Sequence, residues 1–245
     1  KRVEQFSEGL AMVQEGNKYG YIDRTGKMVI KPQFIVAESF SEGLAVVQIG
    51  NKYGYIDGYI DRTGKMVIKP QFAVAESFSE GLARVIEPNR SGWGYIDKTG
   101  KMVIKPQFER AEQFSEGLAM VQSGDKWGYV DKTGKIVVKP QFDHAEHFSE
   151  GLAMVNKRGS SGCGYIDKTG KVVIKPQFCE DQRYGPAADQ FYFSEGLAIA
   201  QEPESAKWGY IDKTGKIVVK PQFIWASRFS EGLADINLGG TYEYS

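Results

Sequence analysis

Phe114-Ser-Glu-Gly-Leu-Ala119, Lys126-Trp-Gly-Tyr-Val-Asp131 and Thr133-Gly-Lys-Ile-Val-Val-Lys-Pro-Gln-Phe142 are three phrases that recur along the whole chain. The first begins again at Phe6, Phe40, Phe78, Phe148, Phe193 and Phe229. The second ends at Asp23, Asp61, Asp97, Asp131, Asp167 and Asp212, each followed by Lys/Arg-Thr-Gly-Lys. The third places its proline at Pro32, Pro70, Pro106, Pro140, Pro176 and Pro221. Successive copies of the first phrase lie 34, 38, 36, 34, 45 and 36 residues apart. A fixed period of this size marks an array of repeats, with the longer copies carrying insertions. The expected organisation is a single repeat domain over 1–245. Its six units are 6–39, 40–77, 78–113, 114–147, 148–192 and 193–228, with a C-terminal half-repeat cap at 229–245.

Each phrase predicts a local structure. Leu118-Ala-Met-Val-Gln122 suits a short strand. Its fourth position stays apolar across copies (Val13, Val47, Val85, Val121, Val155, Ala200, Ile236), and the position before it wanders (Met12, Val46, Arg84, Met120, Met154, Ile199, Asp235). Strand residues alternate faces, so the fixed position is expected inward and the wandering one toward solvent. Lys126–Asp131 makes a second strand, and Asp131-Lys-Thr-Gly134 turns the chain. The carboxylate of such a turn bonds backbone N–H groups, and its glycine takes positive φ without strain. Asp23, Asp61, Asp97, Asp131, Asp167 and Asp212 are therefore structural turn residues. Lys135–Lys139 is a third strand, apolar on both faces and expected to be buried on both, with Pro140 ending it. Gln141–Gly151 is a connector in which Phe142, Ala145 and Phe148 pack inward, with room for a short helical turn.

Three strands of this length cannot bury both faces alone, so neighbouring units must share a core. The chain holds seven first strands against six second and third strands. An open, solenoid-like superhelical stack of three-stranded antiparallel meanders uses the surplus strand as a cap, and is favoured. A six-bladed β-propeller is the alternative. Insertions fall near Glu87–Ser91, Arg158–Gly162, Cys179–Tyr192 and Glu202–Ala206, in connectors or hairpin tips. Residues 54–61 duplicate Gly-Tyr-Ile-Asp; an even insertion preserves facing and should lengthen a hairpin arm or bulge it.

Composition narrows the function. With 31 basic and 31 acidic residues, no net field draws nucleic acid or an anionic membrane. No apolar run nears the roughly 18 residues of a membrane-spanning helix, so no membrane insertion is expected. Two cysteines, Cys163 and Cys179, are too few for a stapled scaffold and read as unpaired thiols. The two histidines, His144 and His147, would share a face if their connector were helical, yet without further ligands they read as solvated surface. No metal or cofactor is expected. The Ser and Glu of Ser-Glu-Gly have no histidine partner in any copy, so a nucleophilic triad fails on stoichiometry. Asp-Lys-Thr-Gly resembles the phosphorylated-aspartate motif of cation-pumping ATPases, but lysine follows the glycine in every copy where that motif has threonine.

Taken together, Gly-Leu-Ala-x-Val, Trp/Tyr-Gly-Tyr-Ile-Asp, Thr-Gly-Lys-x-Val-Ile-x-Pro-Gln-Phe and Phe-Ser-Glu-Gly resemble the bacterial WG-repeat family over essentially the whole chain. The resemblance implies a bacterial origin and a multi-repeat binding or scaffolding role, and it carries no catalytic residues. A cell-surface or secreted setting is favoured. The expected function is a non-catalytic module recognising another protein, a peptide or a glycan. Self-association into filaments or multimers is the alternative, and a catalytic propeller the least favoured. The row Tyr19, Tyr53, Trp93, Trp127 and Trp208 is the candidate ligand surface, because aromatic faces near Lys and Asp suit sugars and peptides. The same recurrence also fits core packing shared between units.

Overall fold

The computed structural model describes residues 2–51, 54–159, 162–178 and 191–238. It divides into two compact units, Lys1–Phe114 with Lys132–Gly134, and Ser115–Asp131 with Lys135–Ser245. Both are built from small antiparallel sheets, and no helix occurs among the described residues.

In the second unit, Leu118–Ser123, Lys126–Asp131 and Ile136–Phe142 pair in sequence order, with Leu118 opposite Asp131 and Trp127 opposite Phe142. The connector does not form the anticipated helical turn. It supplies a two-residue strand, His144–Ala145, that pairs with the first strand of the following repeat, Leu152–Asn156. In the first unit, Val36–Ala37 pairs in the same way with Leu44–Asn51, and Val74–Ala75 with Leu82–Ile86. Five of the sheets are thus four-stranded, the short strand at the inner edge coming from the segment before the first strand, while Leu197–Gln201, Trp208–Asp212 and Ile217–Phe223 form a three-stranded sheet among the described residues. Phe142, Ala145 and Phe148 are buried together in one core cluster, as their spacing of three suggests.

The third strand departs from its expected burial. Met28–Phe34 alternates, with Ile30 and Phe34 buried but Val29 exposed, and Val67, Val103, Val173 and Val218 are exposed at the matching position. This strand is the outer edge of its sheet, and only its inward face meets a neighbour. Nor does proline end it. Pro140 lies inside Ile136–Phe142, where an edge strand tolerates the missing donor. Around it the register slips between Trp127 and Tyr129, because the outer strand bulges across Gly128. A Cβ on Gly128 would lie 2.4 Å from the Val138 carbonyl oxygen, so only glycine fits there.

The wandering position of the first strand is also corrected. Val46, Met120, Met154 and Ile199 are buried. Where the wandering residue is buried, the first strand is covered on both faces, the fixed residue facing the preceding sheet and the wandering one the next, whereas Ile236 of the last copy is exposed. One cluster shows this directly, with Leu118, Met120, Tyr129 and Val138 of one sheet against Phe148, Ala153, Val155 and Ile166 of the next. The first unit repeats it with Leu44, Val46, Tyr59 and Ile68 against Phe78, Ala83, Val85 and Ile96. Each buried large side chain contributes roughly 1.5–3 kcal/mol.

The duplicated Gly-Tyr-Ile-Asp lengthens its hairpin. Leu44–Asn51 and Gly54–Asp61 are 8 residues each and pair without a break, against 6 in Leu118–Ser123. The insertions at Glu87–Ser91 and Glu202–Ala206 lie at the tips of the first hairpins, and so do the described residues of Arg158–Gly162. Cys163 is disulfide-bonded, which corrects the expectation of an unpaired thiol. Cys179 and most of the insertion that begins there lie outside the described residues.

Candidate functional site

Each recurring polar group has a definite place. At Asp97, one carboxylate oxygen accepts from Thr99 N at 2.9 Å, Thr99 Oγ1 at 2.6 Å and Lys101 N at 3.1 Å. Asp23, Asp61, Asp167 and Asp212 do the same, and Asp131 accepts from Lys135 N at 3.1 Å. The threonine hydroxyl, with the backbone donors behind it, holds the carboxyls of Asp23, Asp61, Asp97, Asp167 and Asp212 below their usual range. These oxygens face their own turn.

Phe-Ser-Glu-Gly joins one repeat to the next. Ser41 Oγ donates to the Phe78 carbonyl at 2.7 Å, Ser115 Oγ to Phe148 at 2.8 Å, and Ser149 Oγ to Phe193 at 2.7 Å. The glutamate beside each serine sits at positive φ, near +51° at Glu116 and Glu150. From there Glu116 accepts the Gly151 N–H at 2.9 Å and pairs with Lys168 Nζ at 3.1 Å. Glu150 likewise takes Gly196 N and Lys213 Nζ, and the Lys213 ammonium holds its carboxyl below the usual range. The tyrosine of Gly-Tyr-Ile-Asp completes the joint. Tyr129 packs its ring 4.9 Å from Phe148, edge-on, and donates its hydroxyl to the Glu146 carbonyl at 2.7 Å. Burial pushes this hydroxyl well above the ordinary tyrosine range.

The aromatic row is unevenly placed. Tyr19, Trp93 and Trp127 are half-buried, and Trp208 is buried beside Phe191 at 5.9 Å. Trp127 packs into the cluster between neighbouring sheets, and Tyr19 borders a cleft of about 20 Å³ with Glu4, Met12 and Gln14. The Arg84 guanidinium stacks 4.9 Å from the Trp93 ring and bonds Glu112. Tyr53 lies outside the described residues. In its repeat Asp57, not an aromatic, stands opposite Phe72, the place Trp127 holds opposite Phe142. Asp57 is buried, bonding Gln48 Nε2 and Ala75 N at 3.0 Å each, and burial raises its carboxyl above the usual range.

The histidines do not share a helical face. His144 lies on a strand with Nε2 2.5 Å from buried Glu146, whose other oxygen accepts from Tyr192. No group of three or more His, Cys, Asp or Glu suited to a metal ion occurs among the described residues. Among the described residues there is likewise no helix long and apolar enough to cross a membrane.

A recurring surface that the motifs did not announce lies on the outer strand. Val29, Lys31 and Gln33 point outward together, as do Val67, Lys69 and Gln71, and Val103, Lys105 and Gln107. The signal was present in the alternation Val-x-Lys-x-Gln beside a proline, the mark of a protected edge strand.

Residues 1–19, 19–53, 58–87, 93–127, 127–159, 164–178 and 208–242 match the family model described as "WG containing repeat". No curated protein matches the chain in sequence. Among solved structures, apo AztD from Citrobacter koseri is similar at a TM-score of 0.52 and 15% identity, over 97% of this chain and 74% of that one. A second AztD structure from that organism gives 0.48 at 17% identity, over 97% and 73%. Virginiamycin B lyase from Staphylococcus aureus gives 0.43 at 13% identity, over 89% and 83%. The first of these is β-propeller-like, and at 15% identity its likeness bears on the fold alone.

Proposed function

The chain belongs to the family of WG-containing repeats, and on that premise we propose that it is a non-catalytic binding or scaffold module. Its repeats form an open array whose recurring surface recognises another protein, a peptide or a glycan. One observation carries the proposal. The Asp, Ser, Glu and Tyr of the motifs are engaged in the turn or the neighbouring repeat, while the Lys and Gln of Val-x-Lys-x-Gln face solvent in each repeat, joined by Val29, Val67, Val103, Val173 and Val218. A row of identical contacts at regular spacing suits an extended partner, which gains avidity by engaging several repeats at once.

The open arrangement is supported by the joints. Phe-Ser-Glu-Gly occurs seven times and is bonded from copy to copy, whereas a six-bladed ring has six places for it. Small-angle scattering separates an extended array from a compact ring. Edge-to-edge self-assembly is opposed by the lysine and proline on each outer strand.

A panel of soluble peptides and glycans, read by tryptophan fluorescence and calorimetry, tests recognition. A hit should weaken about tenfold in the triple variant Lys31→Glu, Lys69→Glu, Lys105→Glu, with the circular dichroism unchanged. Absence of any hit, together with concentration-dependent polymerisation, would replace recognition with a structural, self-assembling role.

A further inference from the structure

Near-identical repeats make local departures informative, and two adjacent ones meet at a cavity. After Val155 the chain reads Asn156-Lys157, where other copies carry Gln14-Glu15, Gln48-Ile49, Ile86-Glu87, Gln122-Ser123, Gln201-Glu202 and, in the C-terminal copy, Asn237-Leu238. Asparagine is one methylene shorter than the usual glutamine, and lysine puts a cation where other copies have an acid or a neutral residue. Both line a cavity of ≈ 170 Å³ in the second unit, between the strand Ile136–Phe142 and the sheet of Leu152–Asn156. Phe142, Val155 and Pro176 give it an apolar floor; Gln141 and Lys157 are exposed at its rim.

The rim is held in place. Asn156 Nδ2 donates to the Gly162 carbonyl at 3.0 Å, and Arg158 N donates to Asp143 Oδ2 at 2.8 Å, fixing the backbone on both sides of Lys157. Lys157 Nζ donates to Gln141 Oε1 at 2.9 Å and lies 5.2 Å from the Phe142 ring centre. Among the described residues no carboxylate ion-pairs with Lys157, whereas nearby Lys126 is held by Asp125 and Asp143. An apolar cavity of about 150 Å³ takes up benzene, so this one has room for a single six-membered ring. An ammonium whose present acceptor is a neutral amide gains by exchanging it for a carboxylate.

We propose that this cavity binds an apolar six-membered ring bearing a carboxylate. The ring seats against Phe142, Val155 and Pro176, and the carboxylate takes the Lys157 ammonium from Gln141. The ligand is either a free aryl-alkanoic acid or the C-terminal phenylalanine of a peptide, which present the same chemistry. The site lies in the second unit and shares no residue with the rows Val29–Gln33, Val67–Gln71 and Val103–Gln107, so it is testable whether or not those rows bind anything.

The probe is 3-phenylpropionate, titrated into the full chain by saturation-transfer NMR and calorimetry. Saturable binding with a Kd on the order of 1 mM is expected, consistent with so small a ligand. Lys157→Glu should weaken it about tenfold or more, the size of one charge contact. Asn156→Gln should weaken it about threefold by refilling the cavity with one methylene. Both variants install residues that other repeats already carry, so the fold is retained. The Lys31/Lys69/Lys105 triple variant should leave this binding unchanged. A peptide ending in phenylalanine that binds as the free acid and not as the amide identifies the peptide source; binding of the small acid alone identifies the other. The proposal is overturned if no saturable binding appears by about 20 mM. It is equally overturned if Lys157→Glu binds as well as the parent, or if benzyl alcohol binds as tightly as the acid.

Discussion

Glu116 offers a sharp test of how repeats are joined, because its side chain helps the fold while its backbone costs it. The carboxylate accepts the Gly151 N–H at 2.9 Å and pairs with Lys168 at 3.1 Å, yet φ is +51°. A hydrogen bond to a charged group is worth about 1.5–3 kcal/mol net. The ion pair, about a third exposed, adds about 0.5 kcal/mol after screening. The left-handed backbone costs a side-chain-bearing residue about 1 kcal/mol. Glu116→Ala removes the bonds and keeps the backbone cost, a loss of about 2 kcal/mol. Glu116→Gly also removes the bonds but relieves the backbone, so its loss should be nearer 1 kcal/mol. Glu116→Gln keeps a neutral acceptor and should lose least, about 0.5–1 kcal/mol. The midpoint of urea unfolding orders the variants, and hydrogen exchange at the Gly151 amide supplies a local measure. That amide should exchange roughly thirtyfold faster in Glu116→Ala if 2 kcal/mol of local protection is lost. If alanine and glycine prove equally costly, or Gly151 exchanges at the parental rate in both, the glutamate is not what ties these repeats together.

Three further outcomes follow from features of single repeats. The five turn carboxylates with lowered pKa stabilise the fold fully above the ordinary aspartate value of about 3.9 and lose that contribution as pH falls through their folded values. The melting temperature should therefore be flat from about pH 7 to 5 and fall in acid, and Thr99→Val should shallow that fall. Deleting residues 54–57 brings Tyr53 in sequence to the position now held by buried Asp57. It should stabilise the chain by about 1–3 kcal/mol in urea melts, and a lower midpoint would contradict that placement. Arg84→Met installs the residue found at Met120 and Met154, and stability should change by less than about 1 kcal/mol. Trp93 emission should shift as the cation leaves its ring face, and an unchanged spectrum would argue against the 4.9 Å stacking.

What the sequence disclosed was set by periodicity. The hairpins were legible because three phrases keep fixed spacing, and the turn aspartates because Asp-x-Thr-Gly has a local mechanism. The inner strand was not, since His144–Ala145 is two residues long and shows no alternation. Two-sided burial was assigned to the wrong strand. Val29 and Ile30 look alike in sequence, but an edge strand buries only one of its faces, whereas Met120 and Met154 of the mixed column are enclosed because sheets pack on both their sides. The same limit blurred the candidate surface. Trp208 is enclosed and Tyr19, Trp93 and Trp127 are half-buried, while the plainer Lys and Gln of the outer strand face outward. Asp57 could not be matched to the aromatic position without a register, since the duplication offers two equivalent Gly-Tyr-Ile-Asp copies.

The loan of a short strand from one repeat to the next has a mechanical consequence. Drawing Leu152–Phe178 away from its predecessor requires breaking the His144–Ala145 pairing, the Ser115 hydroxyl bond and the Glu116 clasp at once. In the first unit Val74–Ala75, Ser41 and Glu42 tie the sheet of Leu82–Ile86 to its predecessor in the same way. For the open array proposed above, pulling from the ends in a force spectrometer should give a series of drops, each about one repeat long. A tether built this way yields gradually and keeps its remaining joints intact while it does.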